Sequence, residues 1–531
     1  MRSALRSVAL ASLLIACGGE PTTDAGTDTP RDAFVAPPPS ILLPEGAVIG
    51  QRDPEGVSYL GIPYAEPPIG PLRFAPPVPR APWAEPVLPT LPGCPQTALG
   101  LAGGAEDCLV VHVHVPNDLP ANAPVIVWIH GGAFLVGSGQ SIDRSTLGDR
   151  LARDQRAIVV SMNYRLGPFG FLTYPGLGDG NQGFLDQQLA LRWVRDHIAL
   201  FGGDPSDVTL VGESAGGLSV CLHMIAPGSR GLFARVISES GLCDGSLPSA
   251  EDAAVSGAAL VEAVGCATAS DVPACVRDAT VDALFEAAGE AADLTVLLSG
   301  TTNRPFWASL DGTVIPGTFR EVVTAGEHAA VPAIFGWNRD EGTLFVALAE
   351  QAGTVADQAA YDRSITDFAA REGFDEAMLR AAYPIADYPD PGAAIADLVG
   401  HAELICPSRR AALLLAAAGN EVHVYRFDFP NARFQLGLPR DLGAFHSAEI
   451  QFVFGYAVGG RPFNGTALAL HQHMQGAWGA FARGEDPASA LEIAWPAFTV
   501  ADESSVIFDE TITAGSALDR DDCALWDAAV D

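Results

Sequence analysis

The chain of 531 residues contains no lysine: all 30 basic residues are arginine, set against 64 acidic ones, for a formal net charge of −34. That gap removes several chemistries. There is no Walker-type phosphate lysine, no lysine for a pyridoxal Schiff base and no Ser-Lys dyad. Nucleic acid is disfavoured as a partner, since neutralising phosphates needs clustered positive charge. The acidic share is ordinary, 64 residues in 531, so the charge reflects scarce bases rather than abundant acids. Charged residues make up only 18% of the chain and hydrophobic residues 48%, a balance suited to a large globular fold. Zinc lacks its usual signature, because the nine cysteines include no CxxC pair and no tight Cys/His cluster. The expectation is a protein with no metal and no cofactor.

Long apolar runs are also missing. The longest candidate is N-terminal, where Arg2 and Arg6 precede the stretch from Val8 to Ala16. It is too short to span a bilayer and fits the core of a signal peptide. Its end, Leu14-Ile15-Ala16-Cys17, resembles the lipobox of bacterial lipoproteins, in which Cys17 would be lipidated. The alternative is an ordinary secretory signal with an incidental cysteine. From Gly18 to about Pro44 the chain is rich in Gly, Thr, Asp and Pro and has little to bury. The expected organisation is a signal peptide over 1–16, a disordered tether over 17–44 and one large domain over 45–531. The expected location is the cell envelope, facing outward or into the periplasm, or the exterior if the protein is secreted.

Export predicts an oxidising compartment in which cysteine pairs persist. Cys94/Cys108 and Cys266/Cys275 are spaced to close short loops, and Cys406/Cys523 would tie down the C-terminus, although spacing leaves connectivity open. Cys221 falls in an apolar helical stretch and reads as a buried thiol.

In the body, short aliphatic runs alternate with helical patterns. Val125–Ile129, Ala157–Asn163, Val208–Val211, Ile334–Gly336 and Val422–Phe427 read as strands. Leu185, Leu189, Trp193 and Ile198 recur at helical spacing, and Ala215–Met224 reads as a second helix. Such alternation predicts an α/β fold, a mostly parallel sheet covered by helices on both faces. His112 and His114 alternate along an apparent strand, which suggests that they face solvent.

Gly212-Glu213-Ser214-Ala215-Gly216 sits between the strand Val208–Val211 and the helix that follows. A serine on a tight strand-to-helix turn needs small neighbours two residues to either side, because the backbone is strained there. Such a turn places the hydroxyl at a helix N-terminus, where N–H groups meet developing negative charge. The competing reading is a glycine-rich turn with a capping serine. Upstream, the strand Val125–Ile129 runs into His130-Gly131-Gly132-Ala133-Phe134, where small residues let backbone N–H donors approach a reacting carbonyl oxygen.

In this order VWIHGGAF, FGGDPSDVTLVGESAGG, GWNRDEGTLF and AFHSAEIQFVFG, together with EDCL, GIPYAEPPIGPLRF and FARGEDP, resemble the type-B carboxylesterases. This α/β-hydrolase family includes bacterial para-nitrobenzyl esterases and cholinesterases, and the resemblance runs from about Glu45 to the C-terminus. It implies Ser214 as nucleophile, Glu341 as triad acid and His446 as base, with the amides of Gly132, Ala133 and Ala215 as the oxyanion hole. It implies a buried acidic network that includes Glu213 and Glu449, and disulfides Cys94–Cys108, Cys266–Cys275 and Cys406–Cys523. The chain order Ser214, Glu341, His446 is that of the α/β-hydrolase triad. By residue type alone, Asp340 rivals Glu341 and ten other histidines rival His446.

The loop Cys94–Cys108 is short and carries no aromatic residue, whereas in cholinesterases it carries the tryptophan that receives the choline head. Choline esters are therefore disfavoured, and the expected substrate is an uncharged small-molecule or lipid ester. Phe134, Phe306 and Trp307 read either as walls of the substrate pocket or as core aromatics. A catalytically inactive, neuroligin-like binding protein on the same fold is the alternative function; that branch lacks the nucleophile that this chain retains.

Overall fold

The computed structural model describes residues 38–98, 101–140, 146–289, 298, 304–430, 438–456 and 463–529. The expected signal peptide, Cys17 and the tether as far as residue 37 lie outside the described residues. Residues 40–44, expected in the tether, join the fold instead. Ser40–Leu42 pairs antiparallel with Ala47–Ile49, and Leu43 is buried. Ile41 packs partly buried against the core beside Leu43.

Pro38–Asp531 is one compact unit around an eleven-stranded sheet. In chain order the strands are β1 (Gln51–Arg52), β2 (Gly56–Pro63), β3 (Val110–Pro116), β4 (Ala123–Ile129), β5 (Ile158–Met162) and β6 (Gly203–Glu213), followed by β7 (Arg235–Glu239), β8 (Ala333–Asn338), β9 (Val422–Phe427), β10 (Ser504–Phe508) and β11 (Thr513–Ser516). Their spatial order is β11-β10-β9-β8-β7-β6-β4-β5-β3-β2-β1. From β5 to β10 every neighbouring pair is parallel, and antiparallel strands complete both edges. Central strands β4, β5 and β8 are buried along their whole length, as expected for a parallel sheet covered on both faces. This is an α/β-hydrolase type of architecture.

The strand order reverses around β4, which lies between β5 and β6. A crevice outside the carboxyl ends of the strands at such a switch point is where open α/β sheets place their ligand chemistry. The two glycine-rich turns singled out in the sequence leave the ends of β4 and β6, where Ile129 pairs with Gly212.

Two expectations are corrected here. His112 and His114 are buried, not solvent-facing. They lie on β3 between β2 and β5: the Gly61 N–H donates to His112 Nδ1, and both ring nitrogens of His114 have partners, Ser58 Oγ and Gln140 Nε2. Burial pushes the His112 imidazole down to about 3, so it is neutral. Cys221 is not a free thiol, because it is bonded to Cys243 in the loop after β7. The pairs Cys94–Cys108, Cys266–Cys275 and Cys406–Cys523 are bonded as well.

Candidate active site

The turn at Ser214 is sterically determined. Ser214 has φ 57° and ψ −122°, a conformation that L residues rarely adopt, between β6 and the helix Ala215–Ile225. A Cβ on Gly212 would lie 2.4 Å from the Gly216 carbonyl oxygen, and one on Gly216 would lie 2.1 Å from the Ile129 carbonyl oxygen. Both glycines are therefore required by backbone that passes too close for any side chain. The Ser214 N–H donates to the Glu239 carbonyl oxygen at 2.9 Å, which ties the turn to the end of β7.

The loop after β4 reaches the same point. A Cβ on Gly131 would meet Glu213 Oε2 at 2.6 Å and Ser214 Cβ at 3.0 Å, so the glycine permits direct apposition of the two turns. Gly132, Ala133 and Phe134 all have positive φ, at 103°, 54° and 59°. Val136 N–H donates to the Gly132 carbonyl oxygen at 3.0 Å and closes the turn. Ala215 opens its helix, where an N–H has no partner within the helix. The segments carrying the Gly132, Ala133 and Ala215 amides thus converge on Ser214.

His446 arrives from a loop after β9 that is pinned to the end of β8. Asp340 N–H donates to the Ala444 carbonyl oxygen at 2.9 Å, and Ala444 N–H returns a bond to Asp340 Oδ2 at 2.7 Å. Asp340, the rival acid, thus holds the loop, while its neighbour Glu341 meets the histidine: His446 Nδ1 lies 2.6 Å from Glu341 Oε2. Glu341 Oε1 accepts from Ser240 Oγ at 2.6 Å and from the Asn338 N–H at 2.8 Å, which orients the carboxylate. On the other side of the ring, His446 Nε2 lies 3.2 Å from Glu213 Oε1, off the direction of a hydrogen bond. Phe345 packs against the imidazole with ring centres 5.1 Å apart.

Four buried glutamates, Glu213, Glu239, Glu341 and Glu449, surround this site. Burial alone would lower the His446 pKa, but the carboxylates of Glu213 and Glu341 outweigh it and hold the imidazole above its ordinary value. Burial raises Glu213 to about 7 and Glu239 to about 8, and takes Glu449 well above the carboxylate range. At neutral pH, Glu239 and Glu449 therefore carry protons, which lets acids crowd together without a matching number of cations. Trp478 Nε1 donates to Glu239 Oε1 at 2.7 Å, and the Asn338 amide donates to Glu449 Oε2. Sequence reasoning anticipated Glu213 and Glu449 but missed Glu239, Ser240, Asn338 and Trp478. The available signal was a polar Ser-Glu-Ser run at the end of the apolar strand β7, in register with Glu213.

Phe134, Phe306 and Trp307 are all nearly inaccessible. Phe134 meets Trp307 edge-on at 5.5 Å, and Arg304 stacks over Trp307 at 4.8 Å. In the Cys94–Cys108 loop, Gln96 exchanges hydrogen bonds with the Gly137 backbone at 2.9 and 3.0 Å, fastening the loop beside the Gly132 turn. Among the described residues no cluster of His, Cys, Asp and Glu is arranged to hold a metal ion.

A family profile described as "Carboxylesterase family" matches residues 37–526. Acetylcholinesterase of Electrophorus electricus is 30% identical over 561 aligned positions, which cover 92% of this chain and 87% of that protein. Para-nitrobenzyl esterase of Bacillus subtilis (strain 168) is 32% identical over 502 positions, covering 88% and 94% respectively.

Proposed function

The chain belongs to the carboxylesterase family and is a carboxylic ester hydrolase, and from that premise we propose that Ser214, His446 and Glu341 carry the reaction. His446 Nε2 takes the Ser214 hydroxyl proton as Oγ attacks the ester carbonyl carbon. The carbonyl oxygen becomes an oxyanion and is met by the N–H groups of Gly132, Ala133 and Ala215, each worth roughly 3–4 kcal/mol to the transition state. The imidazolium, held in orientation by Glu341, returns the proton to the departing alcohol and leaves an acyl-enzyme on Ser214. A water molecule then repeats the sequence, its proton passing through His446 as the acid is released.

One observation carries this reading: His446 is buried with Nδ1 at 2.6 Å from Glu341 and Nε2 beside Glu213, at the strand ends where the strained Ser214 turn and the Gly132 turn meet. The test is Ser214→Ala, measured on para-nitrophenyl esters. Turnover falls on the order of a millionfold, as loss of the nucleophile does in serine hydrolases. Retained turnover overturns the assignment, and an inactive wild type with an intact fold would favour a binding role.

We extend the proposal to substrate and location. Uncharged esters are the preferred substrates, because the Cys94–Cys108 loop presents Gln96 to the Gly137 backbone and has no aromatic platform for a quaternary ammonium. The four disulfides fit an oxidising compartment outside the cytoplasm. Cys17, after its apolar leader, is the lipid attachment point that tethers the domain to the envelope. Replacing Cys17 by Ala should move the protein from the membrane fraction to the soluble fraction; unchanged retention counts against lipidation. No helix among the described residues is long and apolar enough to cross a membrane.

A further inference from the structure

The Cys221–Cys243 bond differs in placement from the other three. Cys221 lies in the helix Ala215–Ile225, about two turns beyond Ser214. Cys243 lies in the loop after β7, three residues beyond Ser240. The Ser240 hydroxyl donates to Glu341 Oε1, and the other oxygen of that carboxylate holds His446. The bond therefore joins the helix that begins at the nucleophile to the loop that orients the acid.

That loop is strained. Ser240 and Leu242, neither of them glycine, both have φ 50°, in the left-handed region. Such backbone persists only where its surroundings over-determine it. Between them, Gly241 lies directly on Gly217 of the nucleophile helix: a Cβ on Gly217 would be 2.8 Å from Gly241 Cα. Ser238 Oγ donates to the Gly217 carbonyl oxygen at 3.1 Å, and the Ser240 N–H donates to the Gly336 carbonyl oxygen at 2.8 Å. Beyond the cysteine, Asp244 is held by Arg320 and Arg410. Both cysteines are buried, so the bond is shielded from attack by thiols in solution.

We propose that Cys221–Cys243 is a positioning clamp for the catalytic set. It keeps the strained Ser240 loop seated on the nucleophile helix, so that the Ser240 hydroxyl fixes Glu341, and through it His446, in register with Ser214. Ser240 and the disulfide act as one positioning unit. Forming the bond removes two electrons and two protons from the paired thiols and passes them to an acceptor disulfide, which becomes a dithiol, as for the other three bonds. The proposal rests on the reading of Ser214, His446 and Glu341 as the triad.

The test compares the full-length exported enzyme with Cys221→Ala/Cys243→Ala, with Ser240→Ala and with the triple variant. Cys266→Ala/Cys275→Ala is the control for loss of a disulfide elsewhere. Kinetics are measured on para-nitrophenyl acetate across pH. The clamp predicts that removing Cys221–Cys243 lowers kcat roughly tenfold with KM nearly constant, the scale expected of a small misplacement of reacting groups. The acid limb of kcat/KM moves to lower pH, because a loosened Glu341 stabilises the His446 cation less. Ser240→Ala produces the same two effects, and the triple variant loses no more than the worse of its parents. The control variant leaves the pH limb in place.

Multiplicative losses in the triple variant, an unmoved pH limb, or two titratable buried thiols in fully active wild-type enzyme each overturn the proposal. If the alanine pair fails to fold, Cys221→Val/Cys243→Ala refills the space and is read by the same criteria. Activity in Ser214→Ala would instead overturn the triad, whereas an inactive Ser214→Ala beside an unaffected bond-free variant would overturn the clamp alone.

Discussion

Glu213 has a double position: it adjoins Ser214 in sequence, and its carboxylate lies 3.2 Å from the outer nitrogen of His446. Its negative charge raises the His446 pKa, as does that of Glu341. In its proposed role as base His446 works only when neutral, so kcat/KM is lost as pH falls through that raised value. Glu213→Gln removes one of the two raising charges and should shift the acid limb of kcat/KM toward lower pH. A limb unmoved or displaced upward in a pH–rate profile refutes this account of His446. Individual residues differ in how readable they are. Ser214 is legible because the tight turn imposes glycine on either side of it. Glu341 over Asp340 is not, since adjacent acids look alike until the fold points one at His446 and the other at the Ala444 backbone. Glu239 is hidden for a similar reason: it is recognised only through strand register with Glu213 and through Trp478, which is 239 residues away in the chain.

At the scale of elements, the strand ends carry the site. β4, β6, β7 and β8 end at Ile129, Glu213, Glu239 and Asn338, and the turns that follow bring Gly131, Ser214, Ser240 and Glu341 together. Parallel strands align their carboxyl ends on one edge, so chemistry from distant parts of the chain converges there. The contact between the Ser214 turn and β4 should accordingly be intolerant. Gly216→Ala drives a Cβ into the Ile129 carbonyl oxygen and should cost about 3 kcal/mol or more of stability together with most activity. Gly231→Ala, at φ 75° with open space around it, should cost only about 1 kcal/mol. Denaturant unfolding of the two variants provides the comparison, and equal costs would mean that the turn tolerates displacement. The apolar runs of β4, β5, β8 and β9 are legible because strands buried on both faces need continuous hydrophobicity. β3 misleads because its alternating histidines mimic a half-exposed strand, while in the interior Gly61 bonds His112 Nδ1 and Ser58 and Gln140 hold His114.

For the molecule as a whole, the net charge of −34 acts at long range and the missing aromatic platform at short range. The field attracts a cationic ester toward the protein, but nothing in the Cys94–Cys108 loop receives a quaternary ammonium on arrival. A choline ester should therefore be hydrolysed with lower kcat/KM than a neutral ester of the same acyl group. Its kcat/KM should also fall as salt rises from about 0.01 to 1 M, where screening shortens from roughly 30 to 3 Å, while the neutral ester stays level. Steady-state kinetics with both substrates over that salt range is the measurement. A choline ester that proved the better substrate would refute the specificity argument.

The sequence by itself determined the chemistry on offer. Absent lysine removed competing mechanisms, the alternation of apolar strands with helices specified a parallel sheet, and steric demand at the Ser214 turn wrote its signature in neighbouring glycines. These are local constraints, so they survive in one dimension. Tertiary structure alone decided which acid faces His446, that Glu239 and Ser240 belong to the site, that His112 and His114 are interior, and that Cys221 is bonded to Cys243. Each of those depends on strand order and register, which bring together residues with no local interaction to announce their pairing.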